Sequence, residues 1–565
     1  MDLQQRGAAA LACSAILTLS ACAPIDRSAA PLQARPGALQ QCVELVQAFA
    51  HPRTQLASAA WVAAGQVKVA GQDVPEHCLV TGRMNERTSA ADGQSYAIGF
   101  QMRLPKAWNG RFYHQGNGGI DGAVVTATGP VNGGGGATHA LMMGFAVLSS
   151  DAGHAGALGP FFGLDPQARL DYGYQAVGKL TPMAKSVITT AYGKAPDRSY
   201  FGGCSNGGRH TLVAASRYGD DYDGFLAGAP GYNLPKAALA NIFGAQRYAS
   251  VATNPSDIGT GFTAAERQLV SAAVLARCDA LDGAADGMVQ DVRACQAAFS
   301  LDRDVPTCSG ARDGSCLSAA QKTAIAPIFS GAVTSTGAPV YSSFPYDTGL
   351  GTAGVAFWEF FAPMVLDSGA VGVIFKVPPE PAQGFNGPAF TLGANIDTLA
   401  AQINATNATY TESAMSFMTP PAIGSNLQKL KYRGAKVMVY HGVSDTIFSW
   451  DDTVHWLDTV RTGNGGGDPS NFARIFPVPG MNHCSGGPST DQFDMLTPLV
   501  NWVEKGIAPD RVVAQARGAG NAAGVNADLP ATWSATRSRP LCPYPQVARY
   551  NGSGNLEEAA SFSCR

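Results

Sequence analysis

The pentapeptide Gly203-Cys204-Ser205-Asn206-Gly207 fits the G-x-S-x-G nucleophile-elbow pattern, in which a serine is presented on a sharp strand-to-helix turn. A serine hydroxyl is a weak nucleophile at neutral pH and needs a base within hydrogen-bond reach, itself oriented by a carboxylate. His483, in Gly480-Met481-Asn482-His483-Cys484, and Asp445, in His441-Gly442-Val443-Ser444-Asp445, supply those groups. The chain order Ser205, Asp445, His483 is that of α/β-hydrolases. Because the chain holds 66 glycines, the pattern alone arises easily by chance. The cysteines make it specific: if Ser205 and His483 meet, Cys204 and Cys484 are necessarily close, and one disulfide would staple nucleophile to base. The chemistry implied is ester hydrolysis through an acyl-serine.

The tetrahedral intermediate of such a reaction needs backbone N–H donors aimed at its oxyanion. Asn206, directly after the nucleophile, is expected to give one. Gly119, in the glycine-rich run His114-Gln115-Gly116-Asn117-Gly118-Gly119, is expected to give the other, with Gly118 and Asn117 as neighbours. Of the nine histidines, His210 and His441 read as structural, whereas His114 and His154 fall near loops that could border the site. A separate cluster, Cys278-Asp279-Ala280-Leu281-Asp282-Gly283-Ala284-Ala285-Asp286-Gly287-Met288, places three carboxylates three and four residues apart between turn-forming glycines. Such a loop can wrap one hard cation through Asp279, Asp282 and Asp286 together with the carbonyls of Ala284 and Met288, and a structural Ca2+ is the natural candidate. It is not an EF-hand, since Gln290 stands where a bidentate glutamate should be. The competing reading is a solvated acidic loop.

Each chemical residue follows a segment that reads as a strand. Arg198-Ser199-Tyr200-Phe201 enters the elbow and a helix is expected from Gly208 to Arg217; Lys436–Tyr440 precedes Asp445; Ala473–Val478 precedes His483. Tyr96–Leu104 alternates apolar and polar residues, and Phe145–Leu148 is a short apolar run. In parallel α/β sheets functional groups gather at the carboxyl ends of strands, so the three residues can converge. The expected fold is therefore α/β, an α/β-hydrolase fold with a mostly parallel sheet, helices on both faces and a large inserted lid domain. The lid fills the long interval between Ser205 and Asp445. The expected division is 1–22 signal peptide, 23–38 flexible tether, 39–231 first part of the core, 232–425 lid with the calcium loop, and 426–565 second part of the core.

Composition agrees with a large enzyme: 565 residues, 45% hydrophobic and 14% charged, can bury a substantial core. A formal net charge of -3 without basic runs leaves no electrostatic footprint for nucleic acid. Arg6, the apolar stretch Ala8–Leu19 and Leu19-Ser20-Ala21-Cys22 read as an export signal, too short to span a membrane. Its ending resembles a bacterial lipobox, which would make Cys22 lipidated and anchor the chain to the outer membrane; the alternative is an ordinary signal cleaved nearby, leaving a periplasmic or secreted protein. Two of the 12 cysteines, Cys13 and Cys22, lie in this segment, and the remaining ten suggest a fully paired framework. The sequence does not fix connectivity. Proximity favours Cys278 with Cys295, Cys308 with Cys316 and Cys542 with Cys564, the elbow argument favours Cys204 with Cys484, and Cys42 and Cys78 remain.

The chain resembles the tannase and feruloyl esterase family of α/β-hydrolases over nearly its whole mature length. The resemblance is carried by Gly203–Gly208, Gly228-Ala229-Pro230-Gly231, the acidic loop Asp279–Met288, Tyr440–Asp445, Pro479–Cys484 and Arg539–Pro545. It implies a disulfide between the elbow and post-histidine cysteines, calcium in the lid loop, and small-molecule substrates that are esters of aromatic acids such as gallate or ferulate. One branch of the family cleaves terephthalate monoesters, the alternative substrate class, and Gly163–Asp171 and Phe493–Leu499 are similar to that branch. The chain departs from it at Asn206, where the branch has glutamate, and in its lid. No arginine occurs between Arg312 and Arg433 to grip a free carboxylate, and Lys376 would be a point-charge substitute. Phe357, Trp358, Phe360, Phe361 and Phe375 are lid aromatics that could sandwich a ring or simply fill the lid core.

Two rival functions remain at this level. Acyl transfer to an alcohol uses the same groups, and a non-catalytic binding protein could keep the fold, although it would have no need of all three residues. Oligomeric state is not legible.

Overall fold

The computed structural model describes residues 32–130, 138–421 and 427–565. The expected signal peptide, Cys22 and the first part of the tether lie outside the described residues.

Nine strands form the central sheet: β1 (Thr54–Val62), β2 (His77–Thr88), β3 (Ser95–Pro105), β4 (Arg111–Gln115), β5 (Ala146–Ser150), β6 (Arg198–Cys204), β7 (Gly224–Gly228), β8 (Lys436–Gly442) and β9 (Ala473–Val478). Their spatial order is β9-β8-β7-β6-β4-β5-β3-β2-β1. The strands from β4 to β9 are mutually parallel, and β3, β2 and β1 extend the sheet antiparallel. All five residues of β5 and of β7 are buried, as expected of strands covered on both faces.

The period-two alternation of strand side chains sorts the core into two faces. Phe112, Phe225, Val437 and Val439 point to one face, where they meet α1 (Ala176–Tyr192), α2 (Asn206–Arg217) and α6 (Trp450–Gly463). Tyr113, Leu226, Met438 and Tyr440 point to the other, against α7 (Leu496–Lys505). Between β7 and β8 the chain leaves the sheet for a helical insertion containing α3 (Leu234–Ser250), α4 (Ala264–Cys278) and α5 (Ala353–Phe375), which build a third apolar cluster. Helix α5 is interrupted by π turns at Phe357–Phe361, Pro363–Asp367 and Ala370–Phe375; such turns in α-helices are frequent at functional sites. It is long and apolar enough to cross a membrane by length and composition alone, yet more than half of it is buried inside the protein.

Five disulfides join Cys42 to Cys78, Cys204 to Cys484, Cys278 to Cys295, Cys308 to Cys316 and Cys542 to Cys564. Such a framework belongs to a chain that folds outside the reducing cytosol.

Residues 32–38 correct the expected tether. The Arg198 guanidinium donates to the Leu32 carbonyl, the Ala34 and Arg35 amides donate to Glu504 and Asp197, and Gly37–Ala38 pairs with Ala107–Trp108. A segment that meets two carboxylates and an arginine along its backbone is docked, whatever its composition.

Candidate active site

Ser205 stands between β6 and α2, as the N-cap of the helix, with φ 66° and ψ −128°, a conformation that lifts its side chain out of the sheet. Its amide donates to the Gly228 carbonyl at 3.0 Å. The elbow glycines are steric requirements: a Cβ at Gly203 or Gly207 would sit 2.3 or 2.4 Å from the Gly116 carbonyl oxygen, and one at Gly208 would sit 2.4 Å from that of Gly228.

The base and acid converge as expected. Ser205 Oγ donates to His483 Nε2 at 2.8 Å, and His483 Nδ1 donates to Asp445 Oδ2 at 2.7 Å. Asp445 Oδ1 accepts the Ile447 and Phe448 amides at 3.0 Å each. Burial alone would raise the Asp445 pKa, but His483 and His441 outweigh it and hold the carboxyl well below its usual range, so it stays ionised. His441 is structural: fully buried, it bonds Thr453 and the Phe448 carbonyl and lies 3.3 Å from Asp445. The rings of Trp358, from α5, and Phe448 stand edge-on to the His483 ring at 4.9 and 5.3 Å. The Cys204–Cys484 disulfide joins the residues next to Ser205 and His483, and Cys484 itself takes φ 62°.

On the other side of Ser205 runs the glycine-rich loop. Gly118 lies beside the nucleophile, where a Cβ would be 3.8 Å from Ser205 Cβ; Gly119 follows in the left-handed region with φ 63° and open space where a side chain would be. Asn117 turns inward instead, bonding Ser149 and Ser150. The Asn206 amide opens α2, placing two segments with backbone donors beside the hydroxyl.

These two segments are locked together by a residue the sequence reading missed. Asp121 Oδ2 accepts from Asn206 Nδ2 and from His210 Nε2, both at 2.8 Å, while Asn206 Oδ1 accepts twice from the buried Arg209. Burial pushes the Asp121 carboxyl up to about 7, against the pull of His154, Arg209 and Asn206. His154 stacks on Phe162 and donates to the Ile120 carbonyl, and Tyr172 donates to that of Gly119. Both support the loop from behind. The signal that could have found Asp121 is an acidic residue inside the glycine-rich run Gly118-Gly119-Ile120-Asp121-Gly122. His114 does not border the site: it is buried in the sheet, bonded to Tyr222, and burial with His210 nearby pushes it down to about 3.

The lid residues divide. Phe375 is fully buried and Phe360 packs on Tyr248 and under Arg267, so both are core. Phe357 and Phe361 are about half exposed at the surface of α5 and touch one another at 5.4 Å between ring centroids. Lys376 is nearly buried and its ammonium is taken by Glu380, which removes it as a clamp for substrate carboxylates.

The acidic loop closes on its own backbone. Asp279 accepts the Asp286 and Gly287 amides, Asp282 Oδ1 that of Ala284, and Asp286 Oδ1 that of Met288. Asp286 Oδ2 is bonded to the buried Arg539 at 2.5 Å. Among the described residues Asp282 Oδ2 is buried and makes no hydrogen bond, and burial with Asp286 beside it pushes that carboxyl up to about 7, against the pull of the Ala284 and Gln290 amides. Among the described residues no three His, Cys, Asp or Glu side chains are placed to hold a metal by themselves. The donor set therefore fits a hard cation only with Asp282 as the available carboxylate and backbone carbonyls as further ligands.

The tannase and feruloyl esterase profile matches residues 78–565. The chain belongs to the tannase and feruloyl esterase family. It is 40% identical over 543 residues to mono(2-hydroxyethyl) terephthalate hydrolase of Piscinibacter sakaiensis, covering 90% of this chain and 87% of that one. It is 29% identical over 489 residues to a probable feruloyl esterase B-1 of Neosartorya fischeri, covering 82% of each. Its fold matches the crystal structure of feruloyl esterase B from Aspergillus oryzae with a TM-score of 0.72 at 23% identity, over 93% of this chain and 99% of that one. Like the other members of this family, the chain is a carboxylic ester hydrolase with an α/β-hydrolase fold.

Proposed function

We propose that Ser205, His483 and Asp445 carry out hydrolysis of aromatic-acid esters through an acyl-enzyme on Ser205. The observation that supports this is the continuous relay from Ser205 Oγ to His483 to Asp445, at 2.8 and 2.7 Å. His483 takes the hydroxyl proton as Ser205 attacks the ester carbonyl, then delivers it to the departing alkoxide. Water, deprotonated by the same imidazole, attacks the acyl-serine and releases the acid. Asp445 stabilises the imidazolium without accepting its proton. The Gly119 and Asn206 amides stabilise the oxyanion; removing one such donor typically costs about 10²–10³ in kcat.

The acyl group these residues favour is an uncharged aromatic acid of the ferulate or gallate kind. Trp358 and Phe448 supply aromatic edges beside His483, while the insertion supplies no arginine between 312 and 433 and its Lys376 is neutralised by Glu380. A second reading, hydrolysis of mono(2-hydroxyethyl) terephthalate to terephthalate and ethylene glycol, is favoured by the 40% identity to an enzyme named for that substrate. Initial rates on methyl ferulate and mono(2-hydroxyethyl) terephthalate separate the two. Preference for the ferulate supports the first reading, and preference for the free-carboxylate substrate supports the second.

A structural Ca2+ at the acidic loop is part of this proposal. Asp282 and the Ala284 and Met288 carbonyls would hold it, with Asp279 and Asp286 bracing the loop through its own amides and Arg539, and the buried Asp282 Oδ2, which makes no hydrogen bond, supports the assignment. Bound there it would cross-link the loop and take no part in ester chemistry. We also infer export with lipid attachment at Cys22, which the ending Leu19-Ser20-Ala21-Cys22 supports. Labelled fatty acid should be incorporated by the native chain and not by Cys22→Ser.

A further inference from the structure

The insertion does more than bring Trp358 against His483, and the group responsible is a buried carboxylate to which the mechanism above gives no role. Asp347 lies in the insertion just ahead of α5 and is 1% exposed. Its Oδ2 accepts two hydrogen bonds, from Ser444 Oγ at 2.8 Å and from the Gly480 amide at 2.8 Å. Ser444 immediately precedes Asp445, and Gly480 opens the turn that ends in His483. One carboxylate oxygen thus spans the loop after β8, which carries the acid, and the loop after β9, which carries the base.

The next few residues reinforce the same junction. The Gly349 amide donates to Ser444 Oγ at 2.9 Å, Asn482 Nδ2 donates to the Gly349 and Ser444 carbonyls at 3.3 Å, and Thr352 Oγ1 donates to Asn482 Oδ1 at 2.7 Å. Thr352 is also the N-cap of α5, whose second turn brings Trp358 onto the His483 ring. The space is closed: a Cβ on Gly349 would lie 2.6 Å from the Ser444 side chain. The second oxygen, Asp347 Oδ1, is buried and makes no hydrogen bond among the described residues, so the bonds that tie this carboxylate to the two loops are those of Oδ2.

We propose that Asp347 is a positioning residue for the Asp445–His483 pair, fixing the separation of the two loops so that the imidazole stays within reach of Ser205. The inference rests on the reading of Ser205, Asp445 and His483 as the catalytic groups. It makes the insertion a structural part of the charge relay. Among the described residues the polar groups facing Asp347 are the Ser444 hydroxyl and the backbone amides of Thr348 and Gly480.

Because both donors converge on a single oxygen, a carboxamide can keep both bonds, its NH2 taking the place of the unbonded Oδ1 at a cost to stability rather than to loop spacing, whereas alanine loses both. Asp347→Ala should lower kcat roughly tenfold to a hundredfold, the effect of a displacement near 1 Å at a catalytic group, with KM within about threefold. Asp347→Asn should stay within about threefold of the native enzyme in both constants. The rate of Ser205 labelling by a fluorophosphonate, which reports the activation of the hydroxyl, should fall with kcat in Asp347→Ala and recover in Asp347→Asn. Should Asp347→Ala fail to fold, Ser444→Ala removes one of the two donors and should lower kcat severalfold at native KM. The proposal is overturned if the kcat of Asp347→Ala, or of Ser444→Ala where that substitute is needed, equals the native value, or if Asp347→Asn is as impaired as alanine. Turnover by Ser205→Ala would instead overturn the catalytic reading beneath it, whatever Asp347 does.

Discussion

Breaking the Cys204–Cys484 bond, by Cys484→Ser or by reductant, separates two contributions that the fold combines in one place. The bond closes a span of 280 residues. Loss of a native disulfide typically costs about 2–5 kcal/mol, with long loops at the upper end. Unfolding entropy near 2.1 cal/mol/K per residue amounts to roughly 1 kcal/mol/K for a chain of this length, so Tm should fall by about 2–5 °C. Activity should fall by a different logic. His483 keeps its bond to Asp445, its two aromatic neighbours, and the Asn482 contacts to Thr352 and Ser444, so it loses one restraint among several. About a tenfold loss of kcat is expected, well short of the loss on removing a triad member. Steady-state kinetics on methyl ferulate and a thermal melt of the same samples read both quantities. Cys78→Ser, which opens the disulfide on the antiparallel side of the sheet, is the control: it should lower Tm without lowering kcat. Native kcat in Cys484→Ser, with loss of the bond verified by mass, would refute the claim that the staple positions the base.

Further outcomes follow from other parts of the structure. Asp121→Ala leaves Asn206 Nδ2 and His210 Nε2 buried without their acceptor, at about 1–3 kcal/mol each, and should lower kcat more than it raises KM, because the loop bearing Gly119 is no longer tied to α2; parallel kinetics and melts test this. Asp367 is buried in α5, where it accepts from Asn241 Nδ2, and burial pushes its carboxyl up to about 7. A carboxyl raised from the ordinary value near 4 holds its proton better in the native state, so its contribution is full below about 4 and is lost as pH rises through 7. Asp367→Asn should therefore raise Tm by roughly 1–3 °C at pH 8 and much less at pH 5. A chelator should lower Tm and added Ca2+ should restore it, while Asp282→Ala should abolish that response; a melt that ignores both would remove calcium from the account.

The triad was legible because its signals are local: a glycine-framed serine, a histidine followed by cysteine, and an aspartate after a β-branched strand. The expected parallel strands and the helical interval between β7 and β8 were legible for the same reason, through short apolar runs and a long spacing. What escaped the sequence are groups whose partners are distant along the chain. Asp121 reaches Asn206 across 85 positions, and Asp347 reaches Ser444 and Gly480 across 97 and 133. The glycine-rich run around Asp121 marks it as unusual without naming its partners, and nothing near Asp347 announces its bonds. Lys376 illustrates the opposite error, a charge that reads as available and is cancelled four residues later by Glu380. Residues 32–38 read as linker from composition, yet their backbone groups are bonded by Arg198, Asp197 and Glu504.

The account stands or falls on a covalent intermediate at one residue. Intact-mass and peptide-mass spectrometry of the enzyme quenched during turnover of a slowly deacylating aromatic ester should show one acyl adduct, located on the peptide containing Ser205 and absent from Ser205→Ala. Turnover with no adduct on that peptide, or an adduct that persists in Ser205→Ala, would contradict it.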